Sequence, residues 1–352
     1  MTDLLALTEQ LVAIPSESRN EREIADFVAG CLASIPHLNV ERVGNNLVAK
    51  TAGTDEGRIV VGGHLDTVPQ HEGQVLRRDG DALYGLGSAD MKASLAIMLD
   101  LAQTIASPSR PLTWVFYTCE EIAREASGLN ELFAIPGLLA GDVALLLEPT
   151  SCAVEAGCQG TLRMDLSFGG VRAHTARPFM GVNAIYRLAS ALNALRQHQP
   201  AIVEIDGLKY AQQLQVVAVS GGVAGNVVPD RATCTLNYRF APSTSLEAAE
   251  EELRDLLAPF LDSSLGDAAV LVDGAGGALP GLTNPVIAQL VAATGAPASA
   301  KVGWTDCATF AARGFATCNF GPGDPLLAHH PDEHVTGASL LKSRAILETL
   351  LS

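Results

Sequence analysis

Apolar residues recur on a helical period through the first 35 positions: Leu4, Leu5, Leu7, Leu11 and Val12, then Ile24, Phe27, Val28, Cys31 and Leu32. The spacing predicts two amphipathic helices. Next, "LNVERVGNNLVAKTAG" alternates around a turn and reads as a hairpin. "RIVVGGHLD" is continuously apolar until its last residues, as a strand buried on both faces of a parallel sheet is. "LYGLGSADMKASLAIMLDLAQTI" predicts a loop running into a helix from about Lys92. "PLTWVFYTCEEIA" and "GDVALLLEPTS" are two more buried strands, and both end in acids.

The pattern changes near Gly160. "TLRMDLSFGGVRAHTARP" alternates apolar and polar, as a half-exposed antiparallel strand does. A helix over 183–197 follows, then "QLQVVAVSGGVAGNVVPD", "RATCTLNYRFAP", a helix over 245–261 and "AAVLVDG". This strand–helix–strand–strand–helix–strand order predicts an α+β insertion of roughly 110 residues. From Gly277 the α/β style resumes, with a helix over 285–294, a strand in "ATCNFGPG" and a final helix. No internal repeat or low-complexity linker interrupts the chain.

A chain of 352 residues exceeds what one core usually holds, so two domains, or one with an insertion, are expected. Its 48% apolar and 18% charged composition is that of a folded globular protein. The net charge of −16, with no basic run, disfavours a nucleic-acid partner. No apolar run approaches the ~20 residues of a membrane span, and the N-terminus has no basic, cleavable signal pattern. The seven cysteines are odd in number, scattered and without a CxxC pair. They read as reduced thiols in a cytoplasmic protein.

Candidate chemistry collects at the strand ends, where ligands bind in open α/β sheets. His64 and Asp66 lie two apart on an extended segment, so their side chains share a face. A metal-bound imidazole oriented by a carboxylate has this spacing, and so has a polar turn. Asp90, in "GLGSADMK", is a helix cap or a ligand. Glu120 and Glu121 are a solvated pair, or two acids that need a cation if buried. Glu148 ends the third strand, and His329 and His330 follow a Gly-Pro-Gly loop. Histidine and carboxylate donors without thiolate suit zinc, cobalt or manganese in a hydrolytic site.

With these residues in place, the motifs "GGHLDTVP", "YGLGSADMKAS", "TCEE", "LLLEPT", "AHTARPFMGVNA", "GNVVPD" and "GPGDPLLAHHPDEHV" resemble one family over nearly the whole chain. It is the co-catalytic zinc metallopeptidase family of aminoacylases, carboxypeptidase G-type enzymes, acetylornithine deacetylases and succinyl-diaminopimelate desuccinylases. The resemblance implies an α/β fold: a zinc-peptidase-like catalytic domain (1–160 and 275–352) with a mostly parallel central sheet. An inserted α+β, ferredoxin-like dimerisation domain would cover 161–274.

It also implies two zinc ions per subunit, with cobalt able to substitute. Asp90 would bridge them, His64 and Glu148 would bind one, and Glu121 and His329 the other. Family spacing selects His329 over His330 and leaves Asp332 and Glu333 in outer positions. Glu120 would be the general base, Asp66 would orient His64, and the Asp90–Met91 peptide would be cis. His174 of the partner subunit in a homodimer would stabilise the oxyanion; its alternative is a turn histidine. Asn226, Arg239 and Thr305 match substrate-binding positions. Arg177 is a candidate for the acyl carboxylate, or a surface arginine.

Within the family the chain looks like the actinobacterial desuccinylases. That implies hydrolysis of a small N-acylated amino acid, N-succinyl-LL-2,6-diaminopimelate, in diaminopimelate and lysine biosynthesis. Cys158-Gln159 stands where proteobacterial relatives carry an arginine pair, so the succinyl contacts differ here. Acetylornithine deacetylase is the alternative within the family. A catalytically dead relative would lack a ligand or the base, and none is missing. A dinucleotide enzyme would need a G-x-G-x-x-G fingerprint, which "GLGSAD" does not supply.

Overall fold

The computed structural model describes residues 3–352 and divides into two compact units. The first comprises residues 3–157, Pro280–Ser299 and Thr305–Ser352, and the second Cys158–Leu279 and Ala300–Trp304.

The first unit is built on a mixed sheet. Its centre is four parallel strands: Leu112–Tyr117, Ile59–His64, Val143–Leu146 and Ala316–Asn319, side by side in that order. The hairpin Leu38–Val43/Asn46–Thr51 extends one edge antiparallel, as its alternation predicts. The period of two sorts the strands by face. Leu47, Ala49, Ile59, Val61, Leu112, Trp114, Phe116 and Leu145 join one core with helices Leu4–Val12, Arg22–Ala33, Ala93–Thr104, Pro285–Thr294 and Gly337–Leu351. Each fully buried large side chain there contributes about 1.5–3 kcal/mol. Tyr117 alternates with Phe116 and so points to the opposite face. There Phe133, Phe310 and Phe315 pack edge to face, with centroids 5.1–6.4 Å apart.

This arrangement places the C-terminal ends of the His64 strand, the Tyr117 strand and the Leu146 strand next to one another. Asp90 arrives from the side. The turn Ser88–Lys92 leaves helical geometry at Asp90 (φ −120°, ψ 94°) and Met91 (φ −134°, ψ 33°), and the peptide between them is cis. A small three-stranded sheet, absent from the sequence expectations, joins Arg77–Asp79, Ala82–Tyr84 and His334–Thr336.

The second unit is a four-stranded antiparallel sheet in the order Gln213–Gly221, Arg231–Phe240, Gly160–Gly169, Ala268–Ala275. With helices Ala184–Gln197 and Leu246–Leu257 this is a ferredoxin-like α+β unit. Leu162, Met164, Leu166 and Phe168 alternate inward and meet Leu188, Ala191, Leu195, Leu253 and Leu257. Both helices start at side-chain caps: Asn183 accepts from the Ile185 amide at 2.9 Å, and Ser245 from the Ala248 amide at 3.1 Å. An unexpected hairpin, Ile202–Ile205/Leu208–Ala211, stands apart from the sheet. Among the described residues no helix is long and apolar enough to cross a membrane.

Candidate metal centre

His64 closes its strand and is buried, with 1% of its surface exposed. Its Nε2 lies 3.1 Å from Asp90 Oδ1. Its Nδ1 lies 3.0 Å from the Asp66 carbonyl oxygen and 3.6 Å from the Asp66 carboxylate. The carbonyl is therefore the nearer acceptor, and it fixes the tautomer that leaves Nε2 with a lone pair for a ligand.

The Asp66 carboxylate also has partners besides His64. Oδ1 accepts the Glu120 amide at 3.0 Å, and Oδ2 accepts the Glu121 amide at 3.1 Å and the Ser18 hydroxyl at 2.7 Å. Asp66 thus clasps the turn that carries both glutamates. Glu21 holds the same turn one residue earlier, accepting the Cys119 amide at 3.2 Å. Cys119 has φ +60°, a conformation uncommon for a side-chain-bearing residue, so the turn is held from two sides.

The five expected donors meet in two groups that share one residue. His64, Asp90 and Glu148 bring one donor atom each within 4.8 Å of one another, and so do Asp90, Glu121 and His329. His329, at φ +62° and half exposed, sits with Nε2 2.8 Å from Glu121 Oε1 and 3.6 Å from Asp90 Oδ2. His330 is turned elsewhere: its Nδ1 accepts the Asp332 amide at 3.1 Å.

The electrostatics match a cation site. Burial disfavours the His64 imidazolium, but Asp66 and Asp90 outweigh it and hold His64 well above the ordinary imidazole range. The Glu121 bond lifts His329 to about 9. Carboxylates that draw protons so strongly onto these nitrogens would also draw a divalent cation onto them. Burial, then the charge of Glu148, pushes Glu120 well above the carboxylate range. The donor set of imidazoles and carboxylates, with His64 held by a second partner, fits two neighbouring divalent ions.

Asp306 is not among the residues expected from the sequence, whereas Glu333 and Thr305 are. Asp306, 1% exposed, is raised by burial and accepts the Thr309 hydroxyl at 2.6 Å. Glu333, 1% exposed, accepts three backbone amides of the Asp90 loop, and burial still pushes it up to about 7. Thr305 is buried and donates its hydroxyl to Asn319 Oδ1 at 2.9 Å.

The other expected residues belong to the second unit. The His174 segment runs beside the Asn226 segment, with Thr175 donating to the Asn226 carbonyl at 3.1 Å and Val228 to the Ala173 carbonyl at 2.8 Å. His174 Nδ1 accepts the Ala176 amide at 3.0 Å, which leaves Nε2 as the N–H donor of the neutral ring. His174, Arg177 and Asn226 are exposed, and Arg239 is half-buried on its strand.

Known proteins share both sequence and fold with this chain. The model of peptidase family M20/M25/M40 matches residues 60–352. A provisionally named succinyl-diaminopimelate desuccinylase of Mycobacterium tuberculosis is 46% identical over 351 residues, covering 99% of this chain and 98% of that one. The succinyl-diaminopimelate desuccinylase of Corynebacterium glutamicum is 41% identical, covering 99% and 96%. Among solved structures, a Staphylococcus aureus tripeptidase superposes with a TM-score of 0.81 at 21% identity, covering 99% and 97%. A Bacillus subtilis dinuclear metal-binding M20 peptidase does so at 0.71 and 16%, covering 99% and 96%.

Proposed function

The chain belongs to peptidase family M20/M25/M40, and from that premise we propose that it cleaves an amide bond at two divalent ions shared through Asp90. The observation that carries this reading is the pair of donor triads meeting at Asp90, with Glu120 beside them. His64 and Glu148 would hold one ion, and Glu121 and His329 the other. Two zinc ions per subunit fit the donor set, and cobalt is a workable replacement.

When bound, the ions supply Lewis acidity to water and to the amide carbonyl. The remaining work falls to side chains. Glu120 takes the proton of the attacking water and delivers it to the departing nitrogen as the C–N bond breaks. Asp66 keeps Glu120 in reach by holding its amide. His174, protonated on Nε2, donates to the developing oxyanion. Asn226, Arg239, Arg177 and Thr305 are assigned to the substrate's carboxylates and backbone; an arginine fork suits a carboxylate.

The substrate we assign is N-succinyl-LL-2,6-diaminopimelate, released as succinate and LL-2,6-diaminopimelate. Full-length identities of 46% and 41% to desuccinylases support it. An acetylornithine deacetylase of Edwardsiella ictaluri reaches only 28% over the same span. Arg239 adds support: burial lowers its affinity for a proton, so an anionic partner would be welcome there.

We also infer a homodimer formed through the second unit, with the partner subunit's His174 supplied across it. Strand Gln213–Gly221 is a sheet edge, with Val217 and Val219 each 59% exposed and Tyr186 74% exposed on the adjoining helix. Such an apolar edge calls for a partner. The deciding assay gives the zinc-loaded protein N-succinyl-LL-2,6-diaminopimelate and N-acetylornithine in parallel. Faster turnover of acetylornithine would reject the assigned substrate, and activity that survives full chelation would reject the ion site.

A further inference from the structure

Glu333 lies four residues beyond His329 and is buried. Its Oε2 accepts the Gly87 amide at 3.0 Å, and its Oε1 accepts the Ala89 and Asp90 amides at 2.8 and 3.0 Å. Its own carbonyl takes a fourth bond, from the Gly85 amide at 3.1 Å. All four donors belong to the loop that delivers Asp90. One carboxylate therefore ties together two loops separated by more than 240 positions in sequence.

The two triads differ in how their donors are supported. His64 ends a strand at the centre of the sheet, and Glu148 follows another two residues on. In the second triad, Asp66 supports the Glu121 amide, but Asp90 and His329 both come from loops. His329 is half exposed. Ion ligands tolerate misplacement of only about 0.2 Å, so the mutual position of these two loops has to be set by something. A charged acceptor with three amide donors is well suited to setting it.

We propose that Glu333 is a positioning residue whose carboxylate locks the Asp90 loop against the His329 loop and so sets the affinity of the second ion. The inference rests on the two-ion reading above. Glutamine cannot replace it, because one end of an amide donates and would face an N–H group.

The test is a titration of metal-free protein with Co2+, followed by visible absorption. Wild-type protein should take up two equivalents in turn; uptake of only one would reject the two-ion reading itself. In Glu333→Gln the weaker equivalent should lose about 10- to 100-fold in affinity, the usual effect of removing such a support. The tighter one, which shares Asp90 but keeps the strand-supported His64 and Glu148, should weaken by a clearly smaller factor. Hydrogen exchange at the Ala89 and Asp90 amides in the metal-free variant should accelerate. Unchanged uptake of both ions, or equal loss of both, would overturn the proposal. Glu333→Asp, which keeps the charge on a shorter arm, carries the same expectation if Glu333→Gln does not fold. Failure of both variants to fold would make Glu333 a determinant of the fold and likewise overturn its narrower role.

Discussion

Replacing Gly323 by alanine should damage the metal centre without touching any ligand. The Gly-Pro-Gly segment passes directly over two ligand-bearing stretches. A Cβ on Gly321 would lie 2.5 Å from the Glu148 carbonyl oxygen, and one on Gly323 would lie 2.5 Å from the Ala89 carbonyl oxygen. Moving from 2.5 Å to an ordinary 3.4 Å contact requires an opening of roughly 0.9 Å. The obstacle is backbone on both sides, so no rotamer change relieves it. Overpacking of this kind costs about 1–3 kcal/mol, and the smaller entropy of an unfolded alanine returns about 0.4–1. Gly323→Ala should therefore lose about 1–2 kcal/mol in urea unfolding of the metal-free protein. Ala89 precedes Asp90, so much of that displacement reaches a residue shared by both triads. Against a tolerance of about 0.2 Å, both ions should bind at least tenfold more weakly. Titration of each ion and an unfolding curve on the same sample measure the two effects. Ion affinities within about twofold of wild type, with an unmoved unfolding midpoint, would refute the steric argument. Gly30 provides the contrast. It is exposed in helix Arg22–Ala33, three residues before the helix ends, with open space around its Cβ position. Gly30→Ala should stabilise by about 0.5–1 kcal/mol.

Glu120→Gln should retain both ions and lose about 10²- to 10⁴-fold in kcat, because an amide cannot accept the proton; a loss below tenfold in a fully loaded sample would remove Glu120 from the base role. His174→Ala should keep metal content and sedimentation behaviour while kcat falls by about 10²- to 10³-fold; near-normal turnover would show that its hydrogen bond to Ala176 is its whole function. Lys92 gives a pH signature. It is 2% exposed, donates to the Ile14 carbonyl at 2.7 Å, and is lowered by burial to about 8 against the opposing pull of Glu333. An unfolded lysine titrates near 10.4, so the unfolded chain binds the extra proton above pH 8 and this residue's contribution to stability rises with pH. The rise should be about 2 kcal/mol between pH 7 and 9.5, and Lys92→Met should lack it. Parallel stability–pH curves for the two proteins in urea would contradict this.

Much of the candidate site was legible as a cluster because its possible donors sit where a local pattern ends. His64, the Glu120–Glu121 pair and Glu148 each follow a hydrophobic run, and a run of one length in parallel strands brings its ends together. Helix starts were legible for a similar reason: Asn183 and Ser245 cap their own neighbours. What was not legible is held by partners remote in sequence. Glu333 reaches amides at positions 87 to 90, Ser18 reaches Asp66, and Glu21 reaches Cys119. No periodicity records such bonds. The carbonyl-first hold on His64 belongs here too, since nothing near Asp66 in sequence reveals that its carboxylate is engaged by two distant amides. The hairpin at 202–211 is a different case. Asp206-Gly207, at φ 52° and 78°, is a standard two-residue turn signal, and alternating residues flank it.

The clasp made by Asp66 makes neighbouring positions epistatic. One carboxylate receives Ser18, the Glu120 amide and the Glu121 amide, and the carbonyl of the same residue steadies His64. A substitution at Asp66 therefore acts on the proposed base and on the proposed donors to both ions at once. Once it is made, little is left for a second change at Glu120 to remove, so the paired loss should fall well short of the sum of the single losses. A mutational scan that ranks positions one at a time would credit Asp66 with the work of the turn it holds. Tolerance to a new residue there would have to be acquired jointly with Ser18 and that turn.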